Sequence, residues 1–348
     1  MKMRNILVGM SGGVDSAAAA ALLCDAGYNV TGVTLLLHGG GAEDCDAARA
    51  VCERLGIPHR TLDLSQPFCQ NVKDYFVKSY CCGETPNPCI ECNRTIKFGA
   101  MLDFALANGF DGIATGHYAR TAAESDGTFS LLRGADAAKD QSYVLYTLTQ
   151  HQLSHLLLPL GEYTKEQVRG IAAARGFSNA DRADSQDICF VPDGDYVRFL
   201  RDYGGVTPGE GDFIDTATGK AVGRHKGLVC YTRGQRKGLG IGGMRPLYVL
   251  EKDAQTNTVR LGDDIQLYTR TLSARGVNWI GGEPTQPLRV TAKARYTQKE
   301  APCAVRLCAD GTVEVVFDEP QRAVTAGQSV VFYAGERVLG GGVIDKTW

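Results

Sequence analysis

An apolar triplet, Ile6-Leu7-Val8, runs straight into Gly9-Met10-Ser11-Gly12-Gly13-Val14-Asp15-Ser16, and Val14 to Ala26 continues as an alanine-rich segment stopped by Gly27. A strand that turns through glycines into a helix commits the chain to a βα start, so the next strand returns by crossover and lies parallel. The residues that follow keep that rhythm. Tyr28–Leu37 and His59–Leu64 read as the second and third strands, and Ala47–Leu55 as a helix capped by Asp44 or Asp46 and stopped at Gly56-Ile57-Pro58. Helices are expected over Gln66–Ser79 and Asn93–Asn108, a fourth strand over Phe110–Thr115, and a helix over Thr164–Arg175 with Thr164 and Gln167 as a capping box. Strands alternating with helices imply a parallel sheet covered on both faces.

The rhythm changes near residue 203. Tyr203-Gly204-Gly205-Val206-Thr207-Pro208-Gly209 is a joint, and beyond it short apolar alternations such as Thr312–Phe317 and Ser329–Tyr333 suit small β-barrels or sandwiches. At roughly 150 residues per domain, 348 residues allow two or three units. With a second seam at Gly262–Ser273, the expected units are an α/β domain over 1–204, a small β-rich domain over 205–272 and a β-barrel over 273–348.

Composition narrows the function classes. The formal charge of −2 gives no global basic field, and no apolar run approaches the ~18 residues of a membrane span. A soluble cytoplasmic protein with no membrane partner is expected. The near-neutral total hides a local asymmetry: Thr216–Leu250 has no acidic residue but carries Lys220, Arg224, Lys226, Arg233, Arg236, Lys237 and Arg245. Such a stretch is laid out to touch a polyanion, or is a solvated loop balanced elsewhere in the fold. Gly238–Gly243 imitates a dinucleotide fingerprint but lacks the strand-to-helix context that gives it meaning. Twelve cysteines, eight of them within the first 92 residues, are too many to pass over. A disulfide scaffold belongs to small secreted domains, so the thiols read as reduced.

Successive glycines at Gly9–Ser16 curl the backbone so that N–H groups face one point, and the helix N-terminus adds about half a positive charge there. That is a phosphate cradle without the lysine of a Walker A loop. Ser-Gly-Gly-x-Asp-Ser is the PP-loop pattern, in which ATP is cut between its α- and β-phosphates. Asp15 becomes a Mg²⁺ or phosphate-side residue. Ile113–Tyr118 closes the fourth strand; Gly116 is expected to admit the nucleotide, and His117 to project over the site or serve as a capping or surface histidine. In Thr85-Pro86-Asn87-Pro88-Cys89-Ile90-Glu91-Cys92-Asn93 a Cys-x-x-Cys precedes a helix, and Cys92 at or near the cap is expected to have a lowered pKa. Cys189 lies far downstream among polar turn residues. Reactive thiols beside an ATP-splitting loop suggest sulfur transfer: ATP activates a carbonyl oxygen as an adenylate, and a persulfide or sulfide displaces AMP. Cys24, Cys45, Cys52, Cys69, Cys230, Cys303 and Cys308 are expected to be buried packing residues. Cys81-Cys82 with Cys89 and Cys92 leave open a structural zinc site.

These motifs, together with Lys139–Tyr143, Asp184–Phe190, Gly234–Gly243 and Phe317–Pro320, resemble the bacterial tRNA-specific 2-thiouridylase family over nearly the whole chain. The resemblance implies ATP-dependent 2-thiolation of uridine 34 in the Lys, Glu and Gln tRNAs. It implies ATP contacts from Gly9, Met10, Ser11, Gly12, Gly13, Val14, Asp15, Ser16, Leu35 and Gly116. Cys92 matches the family nucleophile and Cys189 its persulfide carrier, supplied by a sulfur-donor protein or cysteine desulfurase; the two can also form an off-cycle disulfide. Asn87, Pro88, Cys89, His117, Lys139, Asp140, Gln141, Arg295, Tyr296 and Gln328 match tRNA-facing positions. Cys89 stands where many members have aspartate, so Cys89, Cys92 and Cys189 are also an alternative ligand set for a [4Fe–4S] cluster. Two other classes compete: a small-molecule PP-loop ligase, and a non-catalytic RNA-binding or iron–sulfur module.

Overall fold

The computed structural model describes residues 4–38, 42–177, 188–242 and 245–348. Strand β1 (Asn5–Gly9) feeds helix α1 (Val14–Asp25), and β2 (Asn29–Leu36), α2 (Ala42–Leu55) and β3 (His59–Asp63) follow. Helix α2 starts earlier than expected: Asp44 lies in its first turn and Asp46 pairs with Arg49 at 2.7 Å, so neither caps it. Acidic side chains there suit the positive end of the helix. The expected third helix is one helical run through α3 (Ser65–Phe68), a wider π turn over Cys69–Lys73 and α4 (Asp74–Cys81). Next come α5 (Pro88–Cys92), a second π segment over Asn93–Ala100, α6 (Met101–Ala107) and β4 (Gly112–Ala114).

β1 is central in the all-parallel order β3-β2-β1-β4-β7, where β7 is Leu156–Leu157. Ile6, Leu7 and Val8 have no exposed surface, because helices cover both faces. The chain leaves β1 toward β2 on one side and returns as β4 on the other. The crevice outside the carboxyl ends of β1 and β4 is therefore the switch point where such sheets bind ligands.

Between β4 and β7 lies a hairpin that the strand patterns left out, β5 (Ala119–Ala123) and β6 (Phe129–Arg133). Its available signal was the Asp126-Gly127 turn, with Gly127 at φ 85°. Helices α7 (Gln150–Ser154), α8 (Lys165–Ala174) and α9 (Tyr196–Asp202) complete this half, and α8 begins with the expected Thr164–Gln167 capping box.

Downstream, β8 (Gly211–Asp215), β9 (Ala221–His225), β10 (Tyr248–Asp253) and β11 (Thr258–Gly262) form a small sheet in the order β10-β11-β8-β9. β12 (Tyr268–Trp279), β13 (Leu288–Lys293), β14 (Ala301–Leu307), β15 (Val313–Arg322), β16 (Ser329–Ala334) and β17 (Arg337–Thr347) close into a barrel through β12–β17 pairing. Alternation along β15 sends Val313, Val315 and Phe317 into the barrel core. The hairpin belongs to the same sheet, since Leu131 and Leu132 of β6 pair with Val338 and Arg337 of β17.

Candidate active site

The glycine turn after β1 is held by its own serines. The Ser16 hydroxyl donates to the Gly13 carbonyl at 3.0 Å and accepts from the Ser11 N–H at 3.2 Å. Gly12 adopts φ 72°, and a Cβ there would stand 2.8 Å from the Asp44 carbonyl oxygen, so only glycine fits. No side chain caps α1, whose N-cap is Gly13. Its first-turn N–H groups therefore point into the crevice as an anion site. Met10 and Val14 turn inward, while Leu35 of β2 is half-buried beside the neighbouring cluster.

The segment after β4 crosses that first turn. A Cβ on Gly116 would stand 2.9 Å from Asp15 backbone and 3.0 Å from Ser16 N, so this glycine admits α1 itself. The Tyr118 hydroxyl donates to Asp15 Oδ1 at 2.7 Å. Lys165, the first residue of α8, reaches both Asp15 carboxylate oxygens at 2.8 and 2.9 Å. The motif has no lysine of its own; one arrives from 150 residues away. His117 is buried, with its Nδ1 2.8 Å from the Thr115 hydroxyl and its ring beside Phe98. Burial first, and the Lys97 charge second, hold its imidazole well below the ordinary histidine value.

The thiols sit differently from expectation. Asn87 is the N-cap of α5 and accepts from the Cys89 N–H at 3.1 Å, with Pro88 in the first turn. The exposed thiol nearest this N-terminus is therefore Cys89. Cys92 ends α5 where it passes into the π segment, packed among Leu64, Phe68, Val72 and Ile96. Its thiol is pushed up to about 12, by burial above all, so the lowered pKa expected from a helix cap is overturned. Cys189 is exposed, and Phe190 beside it anchors against Phe68, Phe76 and Phe199 with ring centroids 4.9 to 5.8 Å apart. Burial and the neighbouring Cys89 raise the Cys189 thiol, while Lys97 lowers it. Lys97 is the charge that bears on Cys92, Cys189 and His117 together. Sequence reasoning passed over it because a lysine in a helix usually marks solvent.

All twelve cysteines are free thiols. Cys45, Cys52 and Cys303 are buried as expected, whereas Cys24, Cys69, Cys230 and Cys308 are only half-buried. Among the described residues, no three His, Cys, Asp or Glu side chains are placed to hold a metal ion. Neither Cys89, Cys92 and Cys189 nor Cys81, Cys82, Cys89 and Cys92 come together as a ligand set in this structure. The residues 184–187 singled out ahead of Cys189 lie outside the described residues.

The cysteine loop leans on the barrel. The Thr85 N–H donates to the Ala326 carbonyl at 3.0 Å, Gln328 Nε2 donates to the Thr85 carbonyl at 2.6 Å, and Arg275 pairs with Glu84 at 2.6 Å. Asp140 is buried and accepts from the Gly134 and Ser142 N–H groups, both at 3.0 Å; Gln141 accepts from the Tyr118 N–H at 2.9 Å. Those two side chains shape the loop on which Lys139 stands. Arg295 donates to the Ala323 carbonyl and the Thr325 hydroxyl, while Tyr296 keeps 39% of its surface exposed. In the acid-free stretch, Arg245 pairs with Asp215 and Asp263, and Arg224 with Asp212, all from flanking segments. Lys220, Lys226, Arg236 and Lys237 stay exposed.

A parallel sheet with a glycine turn at its switch point defines an α/β domain of the nucleotide-binding kind. Residues 4–193 match the family profile described as a tRNA methyl transferase HUP domain. Residues 197–263 match a tRNA methyl transferase PRC-barrel domain, and 269–344 an aminomethyltransferase beta-barrel domain. The chain belongs to the tRNA-specific 2-thiouridylase family. A relative from Lachnoclostridium phytofermentans named tRNA-specific 2-thiouridylase MnmA is 48% identical over 99% of this chain and 100% of its own. One of the same name from Moorella thermoacetica is 49% identical over 98% and 99%, and another from Acetivibrio thermocellus is 46% identical over 99% and 100%.

Proposed function

We propose that this protein is an ATP-dependent tRNA 2-thiouridylase acting on uridine 34 of the Lys, Glu and Gln tRNAs. The observation that carries the reading is the uncapped α1 N-terminus at the β1/β4 switch point, in a chain whose Cys92 and Cys189 share the Lys97 charge. Residues 1–204 form the catalytic unit, with 205–272 and 273–348 supplying RNA contacts.

In this scheme Gly9–Ser16 hold the ATP phosphates on backbone N–H groups, and Leu35 and Gly116 border the nucleotide. The uracil O2 attacks the α-phosphate and pyrophosphate leaves. Mg²⁺ would neutralise the phosphates, and Asp15, here bonded by Lys165 and the Tyr118 hydroxyl, would be its carboxylate ligand. A donor persulfide loads Cys189; its outer sulfur attacks the adenylated C2 and the old oxygen departs on AMP. The Cys92 thiolate then attacks the inner Cys189 sulfur, so that the S–S bond breaks and leaves the outer sulfur on C2. The resulting Cys92–Cys189 disulfide is reduced by an external thiol before the next turnover. The exposed Tyr296 offers a stacking face to an unpaired base, and the family pattern assigns Arg295, Lys139, His117, Asn87, Pro88, Cys89 and Gln328 to the RNA side. The structure gives no support to a cluster, so no step is assigned to one.

The test is incubation with ATP, a persulfide donor and unmodified tRNA, followed by nucleoside mass spectrometry. Expected products are 2-thiouridine, AMP and pyrophosphate, with Cys92→Ser and Cys189→Ser each inactive. Pyrophosphate release that depends on an amino acid and ignores tRNA would replace the reading with a small-molecule ligase.

A further inference from the structure

Three thiols flank the end of α5 without joining as a ligand set. Cys92 is the last residue of α5 and is buried in the cluster that also receives the Phe190 ring. That ring ties the neighbouring Cys189 to the same place, with its thiol exposed. Cys89 is exposed as well, and stands three residues before Cys92, one helical turn away. Its position is set independently of the other thiols. Asn87 accepts from its N–H at 3.1 Å, and Thr85, four residues earlier, is bonded to the barrel. Among the charged groups that bear on Cys189, Cys89 acts most strongly, ahead of Lys97.

Sulfur transfer through Cys189 and Cys92 leaves a disulfide that is awkward to reduce from solution. Cys92 is buried, so an external thiol meets only the Cys189 sulfur, and attack there must expel Cys92, a poor leaving group at about 12. A thiol already held beside the bond acts at an effective concentration that a dilute thiol lacks. We propose that Cys89 is the resolving thiol of this site, moving the disulfide from the buried Cys92 to the exposed pair Cys89–Cys189. The Cys89 thiolate attacks the Cys189 sulfur and the Cys92–Cys189 bond breaks. Cys92 leaves with the electron pair and takes up the proton that Cys89 gave up. That exchange is redox-neutral. Two molecules of a low-molecular-weight thiol then reduce the Cys89–Cys189 bond and end as their own disulfide. The inference rests on the sulfur-transfer reading of the site and adds a third thiol to it.

The experiment is one turnover of the whole protein, its Cys189 loaded with persulfide beforehand, on ATP and unmodified tRNA without free thiol. Acid quenching, N-ethylmaleimide blocking in denaturant and cleavage after Glu91, which separates Cys89 from Cys92, let mass spectrometry assign the link. The expected products are 2-thiouridine, Cys89 joined to Cys189, and Cys92 carrying maleimide. In Cys89→Ser the link is expected between Cys92 and Cys189. With α,β-methylene-ATP, which cannot be cut between the α- and β-phosphates, all three thiols should stay free. With glutathione present, the ratio of later-turnover to first-turnover rate should fall roughly tenfold in Cys89→Ser and in Cys89→Asp, and more thiol should restore it. The ratio sets aside any loss of RNA contact at Cys89. Wild-type protein that makes 2-thiouridine with Cys89 unlinked overturns the proposal, and so does an equal Cys89–Cys189 link with the analogue in place of ATP. An unchanged ratio in both variants also overturns it. Wild-type protein that makes no 2-thiouridine would instead overturn the sulfur-transfer reading.

Discussion

The proposed function asks Cys92 for thiol chemistry from a place that suppresses it. It is 8% exposed, and burial pushes its thiol from an ordinary 9.0 to about 12. At any pH below 9, the fraction present as thiolate is then about a thousandth of an ordinary thiol's, equivalent to about 4 kcal/mol. Iodoacetamide alkylates thiolates, so timed labelling read by peptide mass spectrometry reports this fraction together with access. In the free protein at pH 8, Cys92 is expected to label at least about a hundredfold more slowly than the exposed Cys89. Its rate should still be climbing about tenfold per pH unit at pH 10, where an ordinary thiol has levelled off. A Cys92 rate equal to that of Cys89, with a plateau near pH 9, would refute the burial argument. If that argument holds, catalysis requires substrate to open the α5 end. Unmodified tRNA with the ATP analogue should therefore speed Cys92 labelling by at least about tenfold.

Other expectations follow from neighbouring residues. Lys97 lowers both thiols, so Lys97→Met should move the acid limb of thiolation to higher pH, with ATP-analogue affinity unchanged. Gly327 sits at φ 85°, where a Cβ would stand 2.6 Å from Glu84 Cβ and 2.8 Å from Thr85 N. Gly327→Ala should cost about 2 kcal/mol in denaturant unfolding and loosen the cysteine loop from the barrel. His117 is neutral when folded, whereas the unfolded chain takes up its proton near pH 6.5. Stability should fall below that pH by up to about 1.4 kcal/mol per unit, and His117→Phe should flatten the slope measured from pH 7 to 5. Tyr296→Ala removes a half-exposed ring and should weaken tRNA binding by about 1–3 kcal/mol in a filter-binding assay, leaving nucleotide affinity intact.

What the sequence made legible were the features written in neighbouring residues. Gly9–Ser16 announced a strand-to-helix turn, and Thr164 with Gln167 announced a capping box; both are present. Buried strands read easily because Ile6, Leu7 and Val8 are apolar on both faces. Properties set by distant chain stayed hidden. Lys165 meets Asp15 only because α8 packs along α1, and nothing near either residue says so. Cys92 looked like a cap residue because the cap rule sees spacing and not burial, whereas Asn87 had already taken the N-cap and the helix ran on past Asn93. The chain segment over 119–133 lacks the apolar run of a core strand. Its place comes from β17, which no local pattern could supply.

That pairing has a consequence for how the molecule is made. Leu131 has no exposed surface, and the core that covers it includes Val331, Tyr333 and Val338. Its hairpin leaves the ribosome roughly 200 residues ahead of the strand that completes its sheet. At about 5–20 residues per second, β6 waits on the order of 10–40 seconds with an open edge. Synthesis halted before residue 337 would thus leave the α/β half with an unpaired, adhesive strand. The hairpin's pairing therefore waits on β17, the last strand of the barrel.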